Sequence, residues 1–315
     1  MVYCISVSGG KDSTACALLA LECHPKDEIR CVFADTGNEH ELTYEYINNY
    51  LPTALGLRIH TVRNDFTAEL ARKAEYCRGH WAAKGVPQET IDRAVTVLKP
   101  TGTPFLDLCM WKGRFPARKA QFCTEQLKKF PLEQYQLLLV EEFGAVESWQ
   151  GVRADESRNR AACPATETTA IPGLTIYRPI LTWTAQQVVD YVLSKGIKLN
   201  PLYSMNMTRV GCMPCINASK GEILEIYRRF PEHINRIAEW ERLVGEASKR
   251  GVSTFFHLEN HGAETMPDPE DYYHVGNIRS VIEWAQTGHG GRQLDIFKTS
   301  TDESPMCSSA YGLCE

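Results

Sequence analysis

The residues Ser8-Gly9-Gly10-Lys11-Asp12-Ser13 lie between two apolar runs, at residues 2–7 and 14–22. A strand, a glycine-rich turn and a helix in this order are the context that turns a short motif into a phosphate site. Adjacent glycines let the backbone approach an anion and adopt positive φ. The helix start directs N–H groups and the positive end of its dipole at the phosphate. Lys11 adds a point charge. This stretch therefore predicts a phosphate loop, although its spacing is not that of a Walker loop.

The composition is that of a soluble globular protein. The chain has 315 residues, with 43% hydrophobic and 23% charged residues, which suits one large or two ordinary domains. No apolar run approaches a membrane span, and the first strand-like run leaves no room for a signal peptide. We therefore expect a cytoplasmic protein with no membrane partner. The net charge of −5 argues against a wholly basic nucleic-acid coat but not against a local basic groove.

The first two-thirds of the chain alternates strand-like and helix-like runs. The strand-like runs are residues 2–7, 29–34, 58–62 and 146–152, and the helix-like runs are residues 14–23, 41–55, 123–143 and 184–194. The third helix is expected to break near Pro131. Such alternation predicts an α/β fold, a Rossmann-like parallel sheet with helices on both faces. We assign residues 1–200 to this nucleotide-binding domain.

Residues 201–315 have a different character and predict a mainly helical, cysteine-containing C-terminal region. Residues 219–250 read as helical, with Pro231 starting a second helix. This helix is amphipathic with mixed charge, so core packing or a homodimer face explains it better than a membrane role. Cys212 and Cys215 form a Cys-x-x-Cys pair, and the tail holds Cys307 and Cys314.

Candidate binding residues follow the predicted strands. In parallel sheets ligands bind at the carboxyl ends of the strands. The loops at such ends are residues 8–13 and Asp35-Thr36-Gly37-Asn38-Glu39. Residues 151–160 hold Arg153, Arg158 and Arg160 after another strand, which suits recognition of oxyanions. A second basic group, at residues 112–119, is more typical of a solvated face.

Seven segments in order carry a resemblance. They are SGGKDS (8–13), FADTGNE (33–39), FCTEQLKKFP (122–131), GVRADESRNR (151–160), YRPILTW (177–183), NPLY (200–203) and GCMPC (211–215). Their order resembles the phosphoadenosine phosphosulfate (PAPS) reductase family, within the PP-loop ATP pyrophosphatase superfamily, over residues 3–216.

The resemblance implies roles for individual residues. It implies nucleotide binding by Ser8, Gly9, Gly10, Lys11, Asp12, Ser13, Asp35, Thr36, Gly37, Arg118, Lys128, Arg153 and Arg160. It implies catalytic roles for Lys11, Asp12, Arg153 and the near-terminal Cys314. Sulfonucleotide reductases generally have a degraded pyrophosphate loop and a Glu-Cys-Gly-Leu-His motif near the C-terminus. This chain keeps the full loop and ends in Tyr-Gly-Leu-Cys-Glu.

Three functions follow from this pattern. The intact loop favours an ATP pyrophosphatase that uses Mg²⁺ and adenylates a substrate for iron–sulfur-dependent sulfur transfer. Its partners would be a sulfur-donor protein or thiol reductant and an acceptor such as a nucleic acid. The second is a sulfonucleotide reductase that makes sulfite from adenylyl sulfate (APS) or PAPS, with Cys314 or Cys307 as nucleophile. The third is a non-catalytic nucleotide-binding accessory protein of a defence or mobile-element complex.

The cysteines predict a metal centre. Some relatives bind a [4Fe–4S] cluster with an adjacent Cys-Cys pair and a later Cys-x-x-Cys. Here Cys123, Cys212 and Cys215 match three of those positions. Clusters usually have four thiolates, and we take Cys307 as the fourth, with Cys314, Cys163 and Cys109 as alternatives. A cluster with one iron left open, a zinc ion and the absence of any metal are the alternatives. Docking of the tail through Tyr311 and Leu313 would bring a terminal cysteine to the cluster or the pocket.

The cluster is testable by iron content. Anaerobically purified protein should be brown, and Cys212→Ser should bleach it because a thiolate ligand is lost. Iron analysis and the visible spectrum check this. Colourless, iron-free wild-type protein prepared without oxygen would contradict the cluster, and one zinc ion per chain would decide for the rival metal.

Overall fold

The computed structural model describes residues 1–118, 120–256 and 268–288. The strands are β1 Val2–Ser6, β2 Ile29–Ala34, β3 Ile59–Val62, β4 Val146–Trp149, β5 Thr166–Thr168 and β6 Leu174–Tyr177. The helices are α1 Lys11–Cys23, α2 Glu41–Glu45, α3 Leu51–Leu55, α4 Thr67–Tyr76, α5 Gln88–Val97, α6 Pro104–Lys112, α7 Phe130–Phe143, α8 Arg158–Ala161, α9 Ala185–Ser194, α10 Pro201–Ser204, α11 Lys220–Arg229, α12 Pro231–Glu246, α13 Pro269–Gly276 and α14 Ile278–Gln286.

Short non-α turns extend three of these helices. The π-helical turn Tyr46–Tyr50 joins α2 to α3, the turn Cys77–Trp81 continues α4, and the turn Thr124–Lys129 leads into α7. The chain stays helical through Pro131, and the π-helical turn Thr124–Lys129 lies directly before it, so the expected break near Pro131 is a change of helix type and not an interruption. No helix in the described residues is long and apolar enough to cross a membrane.

The sheet has the strand order β3-β2-β1-β4-β6-β5. All neighbouring pairs are parallel except β5 and β6, which are antiparallel. The chain moves outward from β1 to β3 and then crosses to the other side of β1 at β4. That reversal is the point in an open α/β sheet where ligands bind. The predicted α/β class with a parallel sheet is confirmed.

Helices cover both faces of the sheet, as the sequence predicts. Successive side chains of a strand point to opposite faces. Tyr3 and Ile5 therefore pack into the core cluster with α1, α3 and α9, while Val2 and Cys4 pack against α7. Burial of a side chain such as Ile5 contributes about 2 kcal/mol. The two hydrophobic layers hold β1 and β4 in register, and with them the loops that follow.

The chain divides into two compact units that differ from the predicted boundary at residue 200. The first combines Met1–Arg63 with Thr124–Cys212, and the second combines Asn64–Cys123 with the described residues from Met213 onward. The described part of the C-terminal region is helical, as expected. Residues 64–123 group with it because their helices pack on α12, for example through the stacked rings of Phe105 and Trp240.

A buried carboxylate organises the second unit. Glu241 on α12 accepts hydrogen bonds from the backbone N–H groups of Phe255 at 2.8 Å and of Ile278 at 3.0 Å. It thereby connects α12 to the start of α14 and to the segment after α12. Burial raises the pKa of Glu241 to about 7, against the opposing effect of these hydrogen bonds.

The pH dependence of unfolding should reveal this group. Because the pKa of Glu241 is higher in the folded protein than in the unfolded chain, its contribution is fully present below about pH 4.5 and is lost as the pH rises through 7. The loss amounts to about 3 kcal/mol. Urea unfolding of wild type and Glu241→Gln should therefore give stability curves that diverge in favour of the variant as the pH rises. The exposed Glu89→Gln is the control, and parallel curves for Glu241→Gln would contradict the assignment.

Candidate functional site

The predicted phosphate loop lies at the carboxyl end of β1 and is closed by its own serines. Ser8 donates its backbone N–H to Ser13 Oγ at 3.1 Å, and the two hydroxyls lie 3.2 Å apart. Ser13 Oγ donates to the carbonyl of Gly10 at 3.0 Å. Gly9 adopts φ +81°, a conformation that favours glycine. A Cβ at Gly9 would also lie 3.1 Å from Thr43 Cγ2, so both backbone and packing require glycine here.

Two residues of the Asn-Pro-Leu-Tyr turn clamp this loop. Asn200, which is buried, donates from Nδ2 to the carbonyl of Gly9 at 3.3 Å and caps α10 by accepting from Leu202 N. Tyr203 accepts the backbone N–H of Lys11 at 3.1 Å through its hydroxyl oxygen. The sequence marks this turn as part of an ordered set of motifs but assigns no role to either side chain. Only the fold brings it to the start of α1.

A chain of alternating charges runs from the loop into the arginine segment. Lys11 Nζ lies 3.1 Å from Asp12 Oδ2, and Arg153 Nε lies 2.8 Å from Asp12 Oδ1. Arg153 also pairs with Asp155 at 2.5 Å. Glu156 accepts the backbone N–H of Arg153 and forms an ion pair with Arg160.

This series of ion pairs has three cations and three anions, so its net charge is zero. The cations are Lys11, Arg153 and Arg160, and the anions are Asp12, Asp155 and Glu156. The side chains of Asp12, Arg153 and Arg160 are at most 6% exposed, whereas that of Lys11 is 13% exposed. Buried charges of this kind need such partners. Of the three cations in this series, Lys11 is therefore the one best placed to contact a ligand. The predicted nucleotide-binding roles of Arg153 and Arg160 stay predictions.

Gly151 lets the backbone after β4 touch the phosphate loop. A Cβ at Gly151 would lie 3.0 Å from both Asp12 C and Ser13 N. Such contacts are tighter than almost all real Cβ contacts, and backbone atoms cannot rotate away as a side chain can. The glycine therefore allows Arg153 to reach Asp12, and it couples the two predicted segments.

Hydrogen bonds to Asp35 and to the buried carboxylate of Glu39 organise the Asp35–Glu39 loop. Asp35 Oδ1 accepts from Gly37 N at 2.8 Å and from the Tyr44 hydroxyl at 2.7 Å. Glu39 accepts from the Thr36 hydroxyl at 2.7 Å and from Tyr44 at 3.1 Å. Burial raises the pKa of Glu39, and Lys128 opposes that shift. Asp35, Thr36 and Gly37 are predicted from the sequence as binding residues, whereas the structural role of Glu39 is visible only in the fold.

A pocket opens at the carboxyl ends of β1 and β2. The lining comes mainly from the two strand ends, the predicted phosphate loop, the start of α7 and the residue before the Cys-x-x-Cys pair. The lining residues are Ser6, Val7, Ser8, Val32, Phe33, Ala34, Glu39, Lys128, Leu132 and Gly211. Ser8, which is predicted to contact phosphate, and Lys128, which is predicted to bind nucleotide, both line it. The remaining predicted cation, Arg118, is exposed and belongs to the second unit.

The predicted metal ligands fall in both units. In the first unit, Cys212 pairs with Glu39 through an isolated β-bridge, and its thiol donates to Glu39 Oε1 at 3.8 Å. In the second unit, Cys215 Sγ accepts from Asn217 N at 3.5 Å, and Cys123 is half-buried. Cys307 and Cys314 lie outside the described residues, so the four-cysteine site and the docked tail stay predictions.

The cysteines of the chain differ in burial: Cys4, Cys31 and Cys109 are buried, whereas Cys163 is half-buried. Burial raises the pKa of Cys4 and of Cys31 to about 12, which makes these thiols unreactive. Burial also raises the pKa of Cys109, with a smaller contribution from Cys123. Cys163, the other alternative ligand, is half-buried in the first unit, and its thiol donates to the carbonyl of Asn159.

Comparison with known proteins identifies the family. The model of the phosphoadenosine phosphosulfate reductase domain matches residues 2–218. The chain belongs to the PAPS reductase family. The resemblance read from the ordered motifs is therefore confirmed, including its extent along the chain.

The relatives of this PAPS reductase family member include phage and bacterial proteins. The chain is 46% identical to an uncharacterized 37.8 kDa protein in the gpa 5′ region of Escherichia phage 186, over 99% of this chain and 96% of that protein. It is 36% identical to the adenosine 5′-phosphosulfate reductase of Rhizobium meliloti over 70 residues, which are 22% of this chain and 26% of that enzyme. The crystal structure of PAPS reductase from Candida auris in a phosphate complex aligns with 68% of this chain and 83% of that one, with 14% identity and a TM-score of 0.41.

The contact at Gly151 is directly testable. Gly151→Ala should destabilise the protein by about 1–3 kcal/mol, because the new methyl group pushes against the backbone of Asp12 and Ser13. Thermal unfolding measures this loss. Gly79→Ala is the matched control, since a Cβ there meets no atom within 4 Å. Equal stability of the two variants would contradict the close packing of the loops.

Proposed function

We propose that this PAPS reductase family member is an enzyme that binds ATP at Ser8–Ser13 and cleaves it between the α- and β-phosphates. The observation that carries the proposal is the complete loop. It is closed by Ser8 and Ser13 and clamped by Asn200, and its last three residues begin a 13-residue helix whose N-cap, Gly10, has no capping side chain. A helix start of this kind favours a polyphosphate.

Lys11 supplies the mobile charge of the proposed reaction. Its ammonium lies at Asp12 and is partly exposed, so a β-phosphate can take the place of the carboxylate as its partner. Arg153 stays with Asp12 and keeps that carboxylate compensated. A substrate oxygen would attack the α-phosphorus and pyrophosphate would leave, with the Lys11 ammonium stabilising the charge on the leaving group. The nucleophilic sulfur of the donor would then displace AMP from the adenylated substrate.

The predicted Mg²⁺ does not fit Asp12 as it stands. Both carboxylate oxygens of Asp12 face cationic side chains, at 3.1 Å and 2.8 Å. A metal ligand needs an oxygen directed at the ion. We therefore assign no step to this ion. For the predicted [4Fe–4S] cluster, Cys212 and Cys215 supply the thiolate chemistry that iron–sulfur clusters use, and the cluster would serve the sulfur-transfer step.

A sulfonucleotide reductase is the second candidate. It is favoured by the family and by the similarity of a 70-residue segment to an APS reductase. Such an enzyme would use a cysteine nucleophile, and Cys314 is the predicted one. Its substrate carries no β-phosphate, so it would make no use of the complete loop.

Nucleotide binding and product analysis separate these readings. Lys11→Ala should weaken ATP binding at least tenfold, or about 1.4 kcal/mol, because the cation facing the β-phosphate is lost. Calorimetry measures this, with Lys195→Ala, which removes a surface partner of Glu22, as the control.

The products identify the reaction. Anaerobic protein should release pyrophosphate from ATP when acceptor is present and should bind APS more weakly than ATP. Sulfite released from APS with a thiol reductant would instead identify the reductase. Unchanged ATP affinity in Lys11→Ala would remove the proposed site, and tight binding with neither product under any condition would favour the accessory protein.

A further inference from the structure

The second unit contains a positively charged insertion in an acidic chain. Residues 64–123 include ten lysines and arginines against six aspartates and glutamates, a net charge of +4, whereas the whole chain has a net charge of −5. This segment follows β3 in the chain and ends before α7. Helix α7 packs on the sheet and precedes β4. The segment contains α4, α5 and α6, which belong to the second unit.

Three lysines of the second unit meet around two indole rings, and we call Lys73, Lys112 and Lys249 the lysine cluster. Lys73 Nζ donates to the carbonyl of Trp111 at 3.2 Å and lies 5.9 Å from the ring centroid of Trp81. Lys249 Nζ lies 5.4 Å from the same ring. Lys112 Nζ lies 3.7 Å from the ring centroid of Trp111. α4, the end of α6 and the segment after α12 thus place their ammonium groups together.

The lysine cluster has no acidic partner within 4.0 Å among residues 1–118, 120–256 and 268–288. Two acids on the same helices are paired elsewhere, Glu69 with Arg72 and Glu246 with Arg242. Burial is the main cause that lowers the pKa of Lys73. The charges of Lys112 and Lys249 lower it further, and Cys77 opposes them. Like charges held together without acids cost stability, which an anionic ligand would recover.

Fold stability alone explains one of the three lysines. Lys73 is half-buried and satisfies a carbonyl in the last turn of α6, so it has a structural role. Lys112 and Lys249 are exposed, and the exposed Arg114 and Arg250 follow them by two residues and one residue. These four side chains present flexible positive charge to solvent beside aromatic surface.

We propose that the lysine cluster binds the phosphodiester backbone of a nucleic acid. Exposed lysines spread over several elements suit phosphates arranged in series, because each acts as a point charge without a fixed geometry. A single phosphate would be better held by a converging, buried set. The interpretation of this surface as the acceptor site rests on the proposed function. Binding of the nucleic acid itself requires no ATP and is tested without it.

The matched variants differ only in where charge is removed. Lys112→Gln/Lys249→Gln neutralises the exposed part of the lysine cluster and leaves the buried Lys73 intact. Lys84→Gln/Lys99→Gln removes the same charge from exposed positions of the same insertion. Fluorescence anisotropy with labelled single-stranded and duplex DNA and RNA, from 50 to 200 mM salt and without ATP, gives affinity and salt slope for the full chain.

The cluster variant should bind single strands at least tenfold more weakly at low salt, and its salt slope should fall by about 1.4, the value for two lost phosphate contacts. The control variant should stay within twofold of wild type. Equal losses in both variants would overturn the proposal, as would no binding by wild type at 50 mM salt.

Two further probes exclude other anions, and one variant separates this inference from the proposed function. Competition by pyrophosphate at matched phosphate concentration would overturn the proposal in favour of a small-anion site. Cluster-dependent binding to phosphatidylserine vesicles without binding to oligonucleotides would overturn it in favour of a lipid surface. Lys11→Ala should lose ATP and keep the oligonucleotide, so either claim can fail while the other stands.

Discussion

Asp12 has a carboxylate that is fully buried at the start of α1, and the site depends on how that charge is compensated. Lys11 approaches one oxygen and Arg153 the other. Removing one partner of a buried ion pair costs far more stability than removing one partner of an exposed pair. The Asp12–Arg153 pair therefore binds the loop after β1 to the loop after β4. Gly151 permits the approach, and the two hydrophobic layers hold the strands that carry both loops. A phosphate loop prepared in this way leaves Lys11 as the cation that can exchange partners.

Glu39 has the corresponding role in the second loop. It is buried and receives hydrogen bonds from Thr36 and Tyr44, and it lies beside Lys128 at the pocket. Its β-bridge to Cys212 brings the first cysteine of the Cys-x-x-Cys pair to this loop. This loop, which is predicted to bind nucleotide, and the Cys212 thiol are thus in contact within the first unit.

The second unit combines a structural requirement with an unexplained charge. Glu241 connects three of its segments by accepting backbone N–H groups. The lysine cluster, by contrast, gathers charge that the described fold does not neutralise. The nucleic acid that we propose as its ligand would supply the opposite charge.

The sequence by itself determined the parallel sheet and the family, and it predicted the phosphate loop. Each follows from local apolar periodicity or from motifs whose order survives in one dimension. It could not determine that residues 64–123 group with the C-terminal helices, that Asn200 and Tyr203 clamp Gly9 and Lys11, or that Arg153 meets Asp12. These contacts join residues 141 to 192 positions apart, or depend on which apolar faces find each other. Only tertiary packing decides them, because the free energy of a buried charge or a shared core depends on the whole fold.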